Sequence, residues 1–160
     1  MTFMTPGRFI RSLRKTPVIL QDILKDVTQE QAQQATDGPD GWSIVEIMCH
    51  LRDFEEIFFS RARSMVEQDN PVLPAYDEKL MAAERHYADQ DLHNVLAAYL
   101  TTRQEFIEWL KERAESDWRR TAIHPEAGQV TLIEQAMQVP THDIDHIEQM
   151  VRTLAAYFGK

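Results

Sequence analysis

Apolar residues return at helical spacing along most of the chain. From Phe9 through Ile10, Leu13, Val18, Leu20, Ile23, Leu24 and Val27 they predict a first helix of about five turns. Pro17 lies inside that helix and should bend it or split off its first turns, because proline lacks an amide hydrogen and crowds the preceding turn. Gln31 to Gly41 contains Asp37-Gly38-Pro39-Asp40-Gly41, which no helix interior tolerates, and reads as a loop. Ser43 followed by Glu46 forms a capping box, in which each side chain satisfies a backbone N–H at a helix start. The stripe Ile44, Ile47, Met48, Leu51, Phe54, Phe58, Ala62 and Met65 then predicts a second helix ending near Asn70-Pro71.

Residues 71 to 88 carry Pro71, Pro74 and a short helical piece around Asp77 to Arg85. They read as an overhand crossover, which would let two neighbouring helices run parallel. Asp89 or Asp91 caps a third helix with Leu92, Val95, Leu96, Tyr99, Leu100, Phe106, Ile107 and Leu110 on one side, fading near Ser116. After the turn-like His124-Pro125-Glu126-Ala127-Gly128, a second capping box, Thr131 with Glu134, opens a last helix with the stripe Ile133, Met137, Ile144, Ile147, Val151, Leu154 and Phe158. Pro140 should kink it just before His142. No β pattern exceeds a short turn pair. The predicted fold is all-α, a four-helix bundle with one long crossover connection, in a single domain over residues 1–160.

Composition adds exclusions. A 43% hydrophobic chain of 160 residues has apolar surface enough for one core. The net charge of −9, from 26 acidic against 17 scattered basic residues, argues against nucleic acid, which demands a concentrated positive surface. No apolar run is long enough to span a membrane, and the N-terminal stretch alternates with arginine and lysine where a signal peptide would be unbroken. One cysteine, Cys49, forms no internal disulfide, so the cytoplasm is the expected compartment.

Histidines carry the candidate chemistry. His142 and His146 are four apart on a helix, so their rings stand one turn apart on one face, close enough to share a metal ion. Such a pair also arises by chance, and its position on the helical wheel decides its weight. Both rings flank their helix's apolar stripe, and His50 flanks the stripe of the second helix, so all three are poised at a groove between helices. Three histidines there would leave coordination positions open for water or substrate, with zinc or nickel the best-suited ions.

Asp53 and Glu46, near His50 in sequence, are candidate fourth ligands or proton acceptors, with solvated or capping roles as the blander reading. Arg61 shares the face of His50 and could hold an anionic group of a substrate, a surface ion pair being the alternative. His86, His93 and His124 default to surface histidines. Cys49 projects away from the core stripe with no cation beside it, which argues against a nucleophile.

Gly41-Trp42-Ser43-Ile44, His50-Leu51, His142-Asp143 and His146-Ile147 together resemble the DinB-like, or YfiT-like, superfamily of metal-dependent enzymes. His124 to Gly128 followed by Thr131-Leu132 is similar to the loop before the last helix in members related to bacillithiol transferases. The resemblance implies a four-helix bundle with a long crossover, frequent homodimers, and a nickel- or zinc-type metal at His50, His142 and His146. It also implies a metal-dependent transferase or isomerase acting with a low-molecular-weight thiol. Two alternatives stand beside it: a metal-dependent hydrolase using Asp53 or Glu46 as base, and a non-catalytic stress-related binding or structural bundle. The expected partners are a small-molecule substrate or thiol and a second copy of the chain.

Overall fold

A computed structural model describes residues 5–159. Four long helices dominate: α1 (Pro6–Leu24), α3 (Ile44–Glu67), α5 (Leu92–Lys111) and α6 (Leu132–Phe158). Two short ones, α2 (Gln29–Gln34) and α4 (Glu78–Glu84), lie in the connections, and a hairpin of β1 (Thr121–His124) and β2 (Gly128–Thr131) precedes α6. Both predicted capping boxes are formed: Ser43 with Glu46 opens α3, and Thr131 with Glu134 opens α6.

Helix α3 packs on α5 and α6, and α1 packs on the same two, so α1 and α3 face each other across the bundle diagonal. Two apolar clusters show the chain directions. One joins Leu20 and Leu24 of α1 to the first turns of α3 and α5 and the last turns of α6; the other joins Leu13 to Phe58, Met65, Phe106, Leu110, Leu132 and Val139. Hence α3 and α5 run parallel, as the crossover over residues 68–91 permits, and α1 and α6 run parallel to each other in the opposite sense.

Between the clusters lies a buried polar layer to which every long helix contributes. Arg103 of α5 grips Glu55 of α3 with two hydrogen bonds, Nε to Oε1 at 2.7 Å and Nη2 to Oε2 at 2.6 Å. It pairs with Asp143 of α6 at 2.8 Å and donates to the Thr16 hydroxyl of α1 at 3.0 Å. Asp143 also accepts from Tyr99 at 3.2 Å and from Thr16. Burial raises the Glu55 carboxyl, against the pull of Arg103.

Some expectations are corrected. Helix α1 is not split at Pro17 and spans Pro6–Leu24. The expected loop from Gln31 begins inside α2, which its own Thr28–Gln31 capping box stabilises. Val18, Ile144, Val151 and Phe158, placed in core stripes, are exposed. Pro140 lies inside α6 as expected, and the Thr141 hydroxyl beside it donates to the carbonyls of Met137 at 3.2 Å and Gln138 at 2.8 Å.

Candidate metal centre

Helix α3 delivers His50 and the facing helix α6 delivers His142 and His146. One nitrogen from each ring lies within 4.8 Å of the others. His50 Nε2 and His142 Nε2 are 3.0 Å apart. Two imidazole lone pairs that close repel unless a proton or a cation lies between them. Nitrogens bound to one zinc-like ion at about 2.0–2.1 Å would stand roughly 3–3.4 Å apart. The donor set therefore fits a divalent metal.

The surroundings keep the His50 and His142 rings neutral, the form a ligand requires. Trp42, Phe54 and Phe58 wall the site, with Phe54 centred 4.3 Å from the His50 ring and 5.3 Å from the His142 ring. Burial first, then the other two imidazoles, pushes His50 down to about 2. Burial, with His146 adding to it, pushes His142 down to about 4.

His146 is oriented from behind. Its Nδ1 lies 2.8 Å from Gln149 Oε1, an acceptor, so Nδ1 carries the proton and Nε2 keeps its lone pair for a ligand. Gln149 Nε2 donates at 2.9 Å to Asp37, which Arg152 pairs at 2.5 Å. Asp37 is presented by a tight turn in which it donates its amide to the Trp42 carbonyl at 3.0 Å. Gly41 is required there because a Cβ would lie 1.8 Å from the Asp37 carbonyl oxygen. By contrast, His50 Nδ1 is buried with no hydrogen-bond partner.

The three histidines open into a cleft of about 610 Å³. Its far wall is made of connections: residues 75–79 of the crossover and His124 to Glu126 of the hairpin. The two are stitched by Leu73 N–H to the Ile123 carbonyl at 2.9 Å and Ile123 N–H to the Pro71 carbonyl at 2.8 Å. Arg61 enters the same cleft and is buried, not paired on the surface. His124, expected at the surface, is buried beside it, with Nε2 3.2 Å from Arg61 Nη1.

Other candidates lie elsewhere. Asp53 is turned away from the histidines and bound by Tyr87 Oη at 2.5 Å, Arg52 at 2.7 Å and Arg85 at 2.9 Å, clamping the crossover onto α3. Glu46 is occupied at the α3 cap, where it accepts from Ser43 N–H at 2.8 Å. Cys49, expected to face away from the core, is fully buried under the crossover; its thiol is pushed up to about 12 by burial, and Sγ lies 3.7 Å from the Tyr87 carbonyl. His86 and His93 are exposed, as expected. Gln149, Asp37 and the Arg103 layer were missed, although a glutamine one turn after a histidine ligand is a signal that could have found Gln149.

A helical bundle with three imidazoles from two facing helices at the floor of an open cleft has the features of a candidate metal-centre protein of the catalytic kind. The chain belongs to the DinB superfamily, whose sequence profile matches residues 12–150. It is similar to a protein of Oceanobacillus iheyensis named "Putative metal-dependent hydrolase", at 24% identity over 126 residues, 79% of this chain and 72% of that one. Its fold is similar to that of YfiT from Bacillus subtilis, described as a probable metal-dependent hydrolase with an unusual four-helix bundle topology. That match has a TM-score of 0.88 over 99% of this chain and 90% of the other, at 19% identity. Among the described residues, no helix is long and apolar enough to cross a membrane.

Proposed function

We propose that this chain is a metal-dependent enzyme whose divalent ion, nickel or zinc, is held by His50, His142 and His146, and whose nucleophile is a low-molecular-weight thiol. The observation that carries the reading is the convergence of three imidazole nitrogens within 4.8 Å at the floor of an open cleft. A divalent ion held by these three residues would supply Lewis acidity, which lowers the pKa of a thiol or water ligand.

The chain's own residues do the rest. Gln149 fixes the His146 tautomer, Trp42 and Phe54 pack against the His50 ring, and Arg61 and His124 face the incoming substrate. Asp53 and Glu46 are both committed to other partners, so neither is free to act as a general base. The descriptions of the two similar proteins as metal-dependent hydrolases favour a second reading, metal-dependent hydrolysis. Exposed Val18, Ile19, Ile144 and Val151 on α1 and α6 support self-association as a homodimer.

Elemental analysis of untagged protein tests the shared premise. About one equivalent of metal is expected in the wild type and none in His50→Ala or His142→Ala with the helical fold retained. A wild type that stays empty when offered nickel, zinc and manganese overturns both enzymatic readings. Thiol-dependent consumption of an electrophile such as chlorodinitrobenzene supports transfer; metal-dependent ester cleavage without thiol supports hydrolysis instead.

A further inference from the structure

We infer that Arg61 and His124 form a binding subsite for an oxyanion, a carboxylate or phosphate oxygen of the substrate, on the wall of the cleft that the three histidines share. The inference rests on the reading above that this cleft is the substrate site.

Arg61 is 6% exposed, yet among the described residues it has no carboxylate within 4.0 Å. Its Nη2 donates to the Pro74 carbonyl at 2.7 Å, its Nη1 approaches His124 Nε2 at 3.2 Å, and the Tyr76 ring lies 5.5 Å from its guanidinium carbon. Its Nε is buried without a partner. The other buried guanidinium, Arg103, is paired with Glu55 and Asp143, as a charge removed from water requires. Glu126, also on the cleft, acts on Arg61 electrostatically but is exposed and forms no ion pair with it. Arg61 thus carries a buried positive charge whose counter-ion none of the described residues supplies.

Proton accounting at His124 points the same way. The backbone N–H groups of Glu126 and Ala127 both approach its Nδ1 at 3.3 Å, and Arg61 Nη1 approaches its Nε2. A neutral imidazole has a single N–H, so it cannot accept at both nitrogens, and whichever nitrogen holds the proton faces another donor. With Nδ1 accepting from the backbone, Nε2–H and Arg61 Nη1–H become two donors 3.2 Å apart. One anionic oxygen seated between them accepts from both and supplies the missing charge. Both residues line the same cleft as His50, His142 and His146, which places the anionic group of a small molecule across from the metal ligands.

Metal-free protein suffices for the test, so it does not depend on catalysis. Inorganic phosphate and, separately, acetate are titrated at constant ionic strength while the histidine-ring and arginine side-chain resonances are followed by NMR. The expected result is a saturable shift of the His124 and Arg61 signals, and the tighter of the two anions identifies the group recognised. Loss of one charge-assisted donor should weaken binding by about tenfold or more in Arg61→Gln and in His124→Phe, with His93→Ala, exposed and outside the cleft, binding as the wild type does. If Arg61→Gln does not fold, the wild-type shifts and His124→Phe still decide. No saturable shift with either anion, or shifts confined to other residues, overturns the inference. A parallel metal titration separates the two claims: metal binding without anion binding sinks only this subsite, and anion binding without metal binding sinks only the metal-dependent reading.

Discussion

Removing the cation from the buried layer gives the sharpest test of what holds the bundle in register. In Arg103→Leu, Glu55 and Asp143, each 1% exposed, lose their shared partner. Arg103 makes the paired contact to Glu55 at 2.7 and 2.6 Å and the ion pair to Asp143 at 2.8 Å, so no other described cation can replace it without repacking the core. Breaking a buried pair by deleting one member costs about 3–5 kcal/mol, because the orphaned charge stays desolvated. That is a large fraction of the roughly 5–15 kcal/mol a domain possesses, and for a chain of this size it lowers the melting temperature by roughly 6–20 °C.

Urea and thermal unfolding of wild type and Arg103→Leu at neutral pH read this out. The pH dependence has a definite sign. Burial raises the Glu55 carboxyl, and without the opposing pull of Arg103 it stands further above its unfolded value, so the folded variant binds the extra proton and its deficit shrinks as pH falls toward the carboxylate range. Arg103→Lys keeps the charge but loses the two-pronged grip and should fall between. A loss below about 1 kcal/mol, or a deficit that grows on acidification, would refute the assignment of this layer as a paired charge network. Because Asp143 adjoins His142, the variant should also bind metal more weakly, whatever its stability.

Four further outcomes follow. Gln149→Leu, which frees His146 Nδ1, should weaken metal binding by about 10–100-fold with the fold intact, measured by competition with a chelator. Metal-free protein should lose stability as pH falls below the ordinary histidine value: His50 and His142 have folded values of about 2 and about 4, so the unfolded state takes up the protons first. That loss reaches up to about 2 kcal/mol for each histidine near pH 5, and urea titrations should show it reduced in His50→Leu. Gly41→Ala should cost about 1–3 kcal/mol and loosen the Asp37–Gln149 contact, because the new Cβ drives into the Asp37 backbone; differential scanning calorimetry checks it. Asp53→Asn should destabilise the crossover, seen as faster amide exchange over residues 85–90, while leaving metal content unchanged.

The long helices were legible because capping boxes and apolar stripes are local signals, and the histidine trio because two of its members share one helix face. Cys49 and Asp53 were misplaced for a single reason. A helical wheel assumes one buried face, whereas α3 is covered by α5 and α6 and again by the crossover through Tyr87 and Arg85. His124 was taken for a surface residue because nothing local in sequence announces that residues 71–73 pair with β1 some fifty positions later. The Asp37–Gln149 contact spans 112 positions and the Arg103–Glu55 pair 48, distances over which residue spacing carries no signal. The apolar residues wrongly assigned to the core of α1 and α6 carry hydrophobic spacing on a face that nothing in the described chain covers.

The two sides of the cleft are built from different material, and that division bears on how the site works. Its floor is two long helices locked by the Arg103 layer, so the imidazoles have little freedom to move relative to one another. Its far wall is loop and hairpin, joined across by two backbone hydrogen bonds between residues 71–73 and Ile123. Rigid elements suit the fixed distances that metal ligation demands, whereas connections tolerate change at small cost to the core. Substitutions at Tyr76, Lys79 or Glu126 should therefore alter which small molecule binds while metal content and melting temperature stay close to wild type. If instead changes in that wall alter metal content as strongly as His50→Ala does, floor and wall form one cooperative unit, and the separation of metal binding from substrate recognition fails.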